Sequence, residues 1–190
     1  LIESCVSNSD KNIILPFSGP VSFDATIKGN HDKQYVYGVD PASEQDNFSI
    51  VILELHKDHS RVVYCWTTNR SNFKDRQKTG LIDDHDFYGF CARKIRSLME
   101  TFPPARIGMD AQGGGVAIEE ALHDPDKLKP GEKLIWPIID YDKTKDTDHQ
   151  SGLHVLELVQ FAKADWTAQA NHGLRKDLED KVLLLSLIHI

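Results

Sequence analysis

Short runs of β-branched and aromatic residues, separated by polar turns, dominate the first half of the chain. The run Tyr35–Asp40 ends on a carboxylate, and Pro41 closes it. Runs of this composition predict buried strands. Two further runs, Phe48–Leu55 and Arg61–Thr68, are joined by a short polar turn, which predicts an antiparallel hairpin.

The apolar period lengthens to three and four residues after position 86, which predicts an amphipathic helix that Pro103 ends. Its apolar positions are Phe87, Phe90, Cys91, Ile95, Leu98, Met99 and Phe102. A strand at Arg106–Met109, a helix at Val116–His123 and a strand at Leu134–Ile139 follow, and the proline of the last strand indicates an edge position or an irregular end. A hairpin before alternating helices and strands predicts an α/β fold, in which a mixed sheet is flanked by helices.

Other segments carry weaker patterns. Residues 1–34 show turn signals without a period, and we expect a linker or the trailing edge of an upstream domain. Residues 69–80 are expected to form a loop. Leu153–Trp166 is expected to begin extended and become helical, and a helix over Ala164–Lys181 is expected to break at Gly173.

The last eight residues, Leu183–Ile190, read LLLSLIHI and fit no period. We expect them to be a non-native tail, which leaves a folded domain over residues 35–182. The chain does not begin with Met, and the final pattern stops abruptly. We therefore expect a fragment of a longer protein, truncated at its C-terminal side.

Composition is that of an ordinary globular domain, with 40% hydrophobic and 27% charged residues among 190. No apolar run approaches the roughly 20 residues that span a bilayer, so no membrane partner is expected. Cys5, Cys65 and Cys91 lack CxxC spacing and indicate a reducing compartment. The net charge of −7 disfavours a surface that binds nucleic acid everywhere, but it permits a local basic strip.

Two carboxylates stand in matching positions and are the main candidates for chemistry. Asp40 ends the first strand, and Asp110 ends the strand at Arg106–Met109. Ligands bind at the carboxyl ends of strands in open α/β sheets, and carboxylates suit Mg²⁺ or Mn²⁺. We therefore expect Asp40 and Asp110 to lie side by side in a two-metal site. A turn or helix cap is the simpler reading of either residue alone.

Further polar groups are weaker candidates, each with an ordinary structural interpretation. The acidic ones are Glu44, Asp46, Asp83, Asp84, Asp86, Asp140 and Asp142. The cluster at 83–86 favours a helix start, and the others favour solvated loops. Gly113-Gly114-Gly115 is consistent with a phosphate cradle, but close packing of the next helix explains it equally well. His149 and His154 lack a zinc-ligand pattern.

A basic segment in the expected loop is the candidate DNA contact. It contains Arg70, Lys74, Arg76 and Lys78 against a single acidic residue, Asp75. Cations in this arrangement fit phosphate groups, which position DNA without reading its sequence. A solvated surface is the alternative.

Four passages together resemble the nuclease domain of the large terminase subunit of tailed bacteriophages. They are YVYGVDPASEQDNFSIVILEL, RVVYCWTTNR, FYGFCARKIRSLMETFP and RIGMDAQGGGVAIEEALHD. The pair GVDPASE and MDAQGGG carries most of the resemblance, which runs from about Tyr35 to Lys181. It implies a ribonuclease H-like fold and a metal-dependent endonuclease that cuts concatemeric DNA during genome packaging.

The resemblance also implies residues and partners. Asp40 and Asp110 match the first two catalytic carboxylates, with Mg²⁺ or Mn²⁺ as cofactor. The third acidic position of the family has no match here, which puts the activity of this chain in doubt. The implied partners are double-stranded DNA, an upstream ATPase motor domain, the small terminase subunit and the portal. The implied location is the host cell cytoplasm.

Two alternatives remain open. An actin-like or sugar-kinase-like ATPase has a similar sheet with strand-end aspartates, but a glycine-threonine turn is expected where Pro41-Ala42-Ser43 stands. A catalytically silent DNA-docking module would tolerate the missing carboxylate.

Overall fold

The computed structural model describes residues 6–7, 24–26, 29–41, 46–140 and 151–186. This part contains nine strands and four α-helices. The strands are β1 Val6–Ser7, β2 Asp24–Thr26, β3 Gln34–Asp40, β4 Phe48–Leu55, β5 Ser60–Thr68, β6 Pro104–Asp110, β7 Ile135–Pro137, β8 Leu153–Val159 and β9 Leu183–Ser186. The helices are α1 Arg70–Lys78, α2 Phe87–Met99, α3 Gly115–His123 and α4 Ala164–Glu179.

All nine strands form one mixed sheet in the order β1-β9-β5-β4-β3-β6-β8-β7, and β2 also pairs with β5. Strands β3, β4 and β5 are antiparallel neighbours, whereas β6, β8 and β7 continue from β3 in parallel. The predicted hairpin, the mixed sheet and the edge position of β7 are confirmed. The α/β fold class predicted from the sequence is therefore correct.

The core lies between one face of the sheet and helices α1, α2 and α3. In β3 the buried residues are Tyr35, Tyr37 and Val39, and the residues between them are more accessible. This alternation is the period of a strand with one buried face. Cys91, expected in the core, is fully buried on α2. In contrast, α4 contributes no buried residue.

The expectation of a loop over residues 69–80 is wrong, because residues 70–78 form α1. The Asn69 side chain accepts a hydrogen bond from the Asn72 amide at 2.8 Å and caps the helix. Phe73 is its one buried residue. With a single apolar anchor the segment has almost no hydrophobic period, so the helix could not be read from its pattern.

The expected break at Gly173 is also wrong, because α4 continues through it to Glu179. A single glycine costs a helix only about 1 kcal/mol relative to alanine, which 16 residues of helix can absorb. The break is seen instead at Lys181, which has φ of 59°.

Arg96 is a charged residue buried on the otherwise apolar inner face of α2. It is 4% exposed and donates hydrogen bonds to the carbonyls of Leu122 and Lys133. It therefore ties α2 to the end of α3 and to the loop before β7. Buried carbonyl groups at a helix end need such donors.

Both terminal segments contribute strands: β1 pairs with β9, and β9 pairs with β5. The domain limits at residues 34 and 182, and the non-native origin of the tail, stay predictions. Residues 187–190 lie outside the described residues. Across the described ranges, no helix has the length and apolar character needed to cross a membrane.

Candidate active site

Asp40 and Asp110 occupy the carboxyl ends of the adjacent parallel strands β3 and β6. The register pairs Val39 with Met109, so the two aspartates follow at equivalent positions. Since Val39 and Met109 are buried on the helix-covered face, the strand alternation turns both carboxylates to the opposite face. The sequence predicted that the two aspartates lie side by side, and this register agrees with that prediction.

The charges at this edge of the sheet repel one another. Partial burial of the carboxyl raises the pKa of Asp40, and the negative charges of Asp110 and then Asp46 raise it further. Within the ranges that the structure describes, neither Asp40 nor Asp110 forms an ion pair with a basic side chain. A bound cation would relieve the repulsion that raises this pKa.

Two backbone amides fix the carboxylate of Asp110. Oδ1 accepts hydrogen bonds from the amide of Gln112 at 3.1 Å and from the amide of Phe161 at 3.4 Å. The first closes a local turn after β6, and the second comes from the chain that leaves β8. Because both donors meet Oδ1, Oδ2 keeps its lone pairs for another ligand.

The glycines after Asp110 bring α3 close to the site. A Cβ added to Gly115 would stand 2.0 Å from the Asp110 carbonyl oxygen and 3.8 Å from Cγ of Pro41. The segments that follow the two aspartates are therefore in contact, and only glycine fits at this point. Gly113 has φ of +57°, which glycine adopts without strain. Close packing thus accounts for the glycines.

The structure gathers few of the weaker acidic candidates around the pair. Asp46 contributes to the raised pKa of Asp40, whereas Asp140 is exposed after β7. Asp86 caps α2 through the Gly89 amide, and Asp83 and Asp84 lie in the segment before it. Glu44, Asp142 and His149 lie outside the described residues. His154 Nδ1 lies 3.0 Å from the Pro137 carbonyl oxygen.

No third acidic ligand joins the pair in the described part of the chain, where no group of three or more His, Cys, Asp or Glu side chains is arranged to hold a metal ion. Two hard oxygen donors with surplus negative charge nevertheless fit a divalent cation such as Mg²⁺ or Mn²⁺. Asp40 and Asp110 are the described residues that could hold such an ion.

The four basic candidates lie on α1, which follows β5. The register of β3, β4 and β5 places Asp40, Ser49 and Thr67 in one row across the sheet. The start of α1 is therefore two strands from Asp40, or roughly 10 Å. The candidate basic strip and the acidic pair therefore lie at the same ends of neighbouring strands.

The four basic side chains differ in their surroundings. The Arg70 guanidinium packs over the rings of Phe87 and Tyr88, at 5.2 and 4.7 Å from their centroids. Lys78 forms an ion pair with Asp75 at 3.3 Å, and both side chains are exposed to solvent. Lys74 is exposed and Arg76 is partly buried.

Sequence reasoning missed the amide of Phe161 as a partner of Asp110. A backbone contact of this kind carries no side-chain signature. The one available signal is its position in the chain, since Phe161 lies two residues after the end of β8, which pairs in parallel with β6.

No protein-family model matches this chain, and no curated protein matches its sequence. Solved structures match its fold. The large terminase nuclease from thermophilic phage G20c superposes with a TM-score of 0.54 at 15% identity, over 92% of this chain and 69% of that chain. A structure of the same nuclease with bound magnesium gives 0.56 at 14% identity, with the same coverage. The ribonuclease H-like α/β fold implied by the sequence resemblance is thereby confirmed: this chain has the fold of a large terminase nuclease.

Proposed function

We propose that this chain is a divalent-metal-dependent DNA endonuclease, the nuclease domain of a large terminase subunit that cuts concatemeric viral DNA during packaging. One observation carries the proposal: two like-charged carboxylates stand side by side at the end of parallel strands without a basic partner in the described residues. Folding alone gives no reason to keep such a pair. The fold shared with a nuclease that binds magnesium supports this reading.

Asp40 and Asp110 are the residues that hold the metal in this proposal. When bound, a divalent ion supplies positive charge beside the scissile phosphate and makes a water molecule more acidic. The amides of Gln112 and Phe161 fix Asp110 through Oδ1, so that Oδ2 would be available to the ion. Partial burial and then the negative charges of Asp110 and Asp46 raise the pKa of Asp40, and a bound divalent ion would offset this repulsion.

Helix α1 is the proposed contact with the DNA backbone. Lys74 and Arg76 are best placed to reach phosphates, because Arg70 packs on two rings and Lys78 on Asp75. Phosphate contacts hold DNA without regard to sequence, so weak sequence preference is expected. The packaging motor, the small terminase subunit and the portal remain proposed partners of the parent protein.

A plasmid-cleavage assay in Mn²⁺ or Mg²⁺ tests the activity. Asp40→Asn and Asp110→Asn are each expected to slow cutting by roughly 100-fold or more, because a lost metal ligand removes several kcal/mol of stabilisation. Asp32→Asn is the matched control, since Asp32 is exposed before the opposite end of β3. Cutting by either site variant at the wild-type rate would contradict the proposal.

A catalytically silent DNA-docking module is the second candidate, favoured by the lack of a third acidic ligand among the described residues. It predicts wild-type DNA binding without cutting in any divalent ion. Calorimetric titration with ATP addresses the ATPase alternative, for which no binding is expected.

A further inference from the structure

A stacked aromatic pair lies directly beside the proposed metal ligands. The rings of Phe161 and Trp166 are 4.5 Å apart between centroids and 15° from parallel. The amide of Phe161 is 3.4 Å from Oδ1 of Asp110. The pair therefore begins where β8 ends and reaches onto the first turn of α4.

Local hydrogen bonds hold this pair in place. The Thr167 hydroxyl donates to the Phe161 carbonyl at 2.6 Å, and the Thr167 amide donates to the Lys163 carbonyl at 3.0 Å. The Lys163 amide in turn donates to the Gln160 carbonyl at 3.1 Å. Local hydrogen bonds therefore stabilise the turn between β8 and α4, and this turn fixes the positions of the two rings.

Packing does not account for the exposure of Trp166. Its side chain is 38% exposed, and the helix that carries it has no buried residue. Tryptophan is normally well covered in a folded protein. Phe161, half-buried, covers one face of the indole, and the remaining exposed surface is apolar, planar and next to the acidic site.

The chemistry of this surface favours a neutral planar ligand. The exposed Lys163 and Asp165 bring charges of both signs to this turn, so the indole ring, and not the local charge, selects the ligand. A nucleobase carries no charge and stacks on aromatic rings whatever its identity. Successive nucleotides of a duplex strand advance about 3.4 Å along its axis, so a base at Trp166 belongs to a nucleotide near the phosphate at Asp110.

We propose that Phe161 and Trp166 form a stacking site for an unpaired base of the DNA strand held at Asp40 and Asp110. This inference rests on the proposed function, which supplies the DNA. Trp166 is a positioning residue that binds the strand beside the cut. The site favours single-stranded or frayed DNA over intact duplex, because a base must leave its stack to reach the indole.

Tryptophan emission measures this contact directly. The chain has three tryptophans, of which Trp66 is 4% exposed and Trp136 stacks on His123. An unlabelled thymidine oligonucleotide, added in EDTA so that no cutting occurs, is expected to quench wild-type emission. The quench is expected to disappear in Trp166→Phe and to persist in Trp136→Phe.

Affinity is measured separately, by anisotropy of a labelled oligonucleotide of the same sequence. Trp166→Ala is expected to weaken single-strand binding roughly 5- to 100-fold. Trp166→Phe keeps a ring and is expected to stay near the wild-type affinity. A blunt duplex of the same length is expected to bind all three proteins almost equally. Unchanged melting of Trp166→Ala verifies its fold.

Two outcomes would overturn the stacking site: wild-type single-strand affinity in Trp166→Ala, or an intact quench in Trp166→Phe. The nuclease proposal fails separately, through wild-type cutting by Asp40→Asn. A quench that depends on Trp166 in a protein that does not cut DNA would retain the stacking site and reject the nuclease.

Discussion

The two ends of the antiparallel pair β3 and β4 hold acidic side chains in opposite electrostatic settings. At one end, Glu54 is 4% exposed, accepts a hydrogen bond from the Tyr35 hydroxyl at 3.1 Å, and lies 2.6 Å from His56 Nε2 and 3.3 Å from Arg61 Nη2. At the other end, Asp40 stands beside Asp110 and is destabilised as an anion. Glu54 has a basic partner that offsets its charge, whereas Asp40 and Asp110 have no basic partner among the described residues, which makes them candidates for binding a cation.

Removing Glu54 is expected to have the largest effect on stability. Glu54→Ala removes the carboxylate that accepts hydrogen bonds from Arg61 and the Tyr35 hydroxyl, and is expected to lower the free energy of unfolding by about 2–4 kcal/mol. Urea denaturation measures the loss. Glu54→Gln is the control, because it keeps the shape and one acceptor oxygen. A loss under 1 kcal/mol in the alanine variant would contradict the claim that Glu54 stabilises the fold.

Divalent ions are expected to act only at the Asp40 end. At a concentration 100 times its Kd, Mn²⁺ is expected to stabilise the wild-type protein by about 2.7 kcal/mol. Asp40→Asn should lose most of this gain, and Glu54→Gln should keep it. Thermal melts with and without the ion provide the measurement, and equal gains in both variants would place the ion elsewhere.

Gly115→Ala is expected to disturb the same end by a purely steric route. The new methyl group would overlap the Asp110 carbonyl oxygen, so α3 must shift, at a cost of about 1–3 kcal/mol. Gly173→Ala is the control, because nothing lies within 4 Å of its Cβ position. That variant should be neutral or slightly stabilising, since alanine is the better helix former. Equal stability of the two variants would show that α3 does not need its close approach.

The smallest expected effect is the dependence of Asp40→Asn on pH. Because the pKa of Asp40 is raised by folding, the folded state holds its proton more tightly than the unfolded state does. Ionisation therefore costs stability as pH rises above the ordinary value of 3.8 through the folded pKa. Without metal, Asp40→Asn should match the wild type below that window and exceed it at neutral pH, by under about 1 kcal/mol. A variant less stable than the wild type at neutral pH would contradict the repulsion.

The sequence predicted the surroundings of Asp40 better than those of Glu54. Asp40 and Asp110 each close an apolar run, and the rule for strand ends brings them together from pattern alone. Glu54 and its partners carried no such signal, because Glu54 occupies a core position within an apolar strand. Its partners Tyr35 and Arg61 lie on the two neighbouring strands, and only the register of the sheet places them opposite Glu54.

Helix α1 and Trp166 show the same limit at a smaller scale. Helix α1 has nine residues and depends on its cap and on one buried side chain, Phe73, which packs on the rings of Phe87 and Phe90. The aromatic pair depends on a turn whose hydrogen bonds are backbone and hydroxyl contacts. The hydrophobic period of a sequence reveals elements with a large buried face. Features that depend on one or two contacts cannot be predicted from it.

The hydrogen bond between Phe161 and Asp110 also has a kinetic meaning. The two residues are 51 positions apart in the chain, and their contact requires β6 and β8 to be already paired. Closing so large a loop is entropically costly, so contacts of this range form late in folding. An early folding intermediate is therefore not expected to hold a finished Asp110 site, and ion binding at this site is expected only when the sheet is complete.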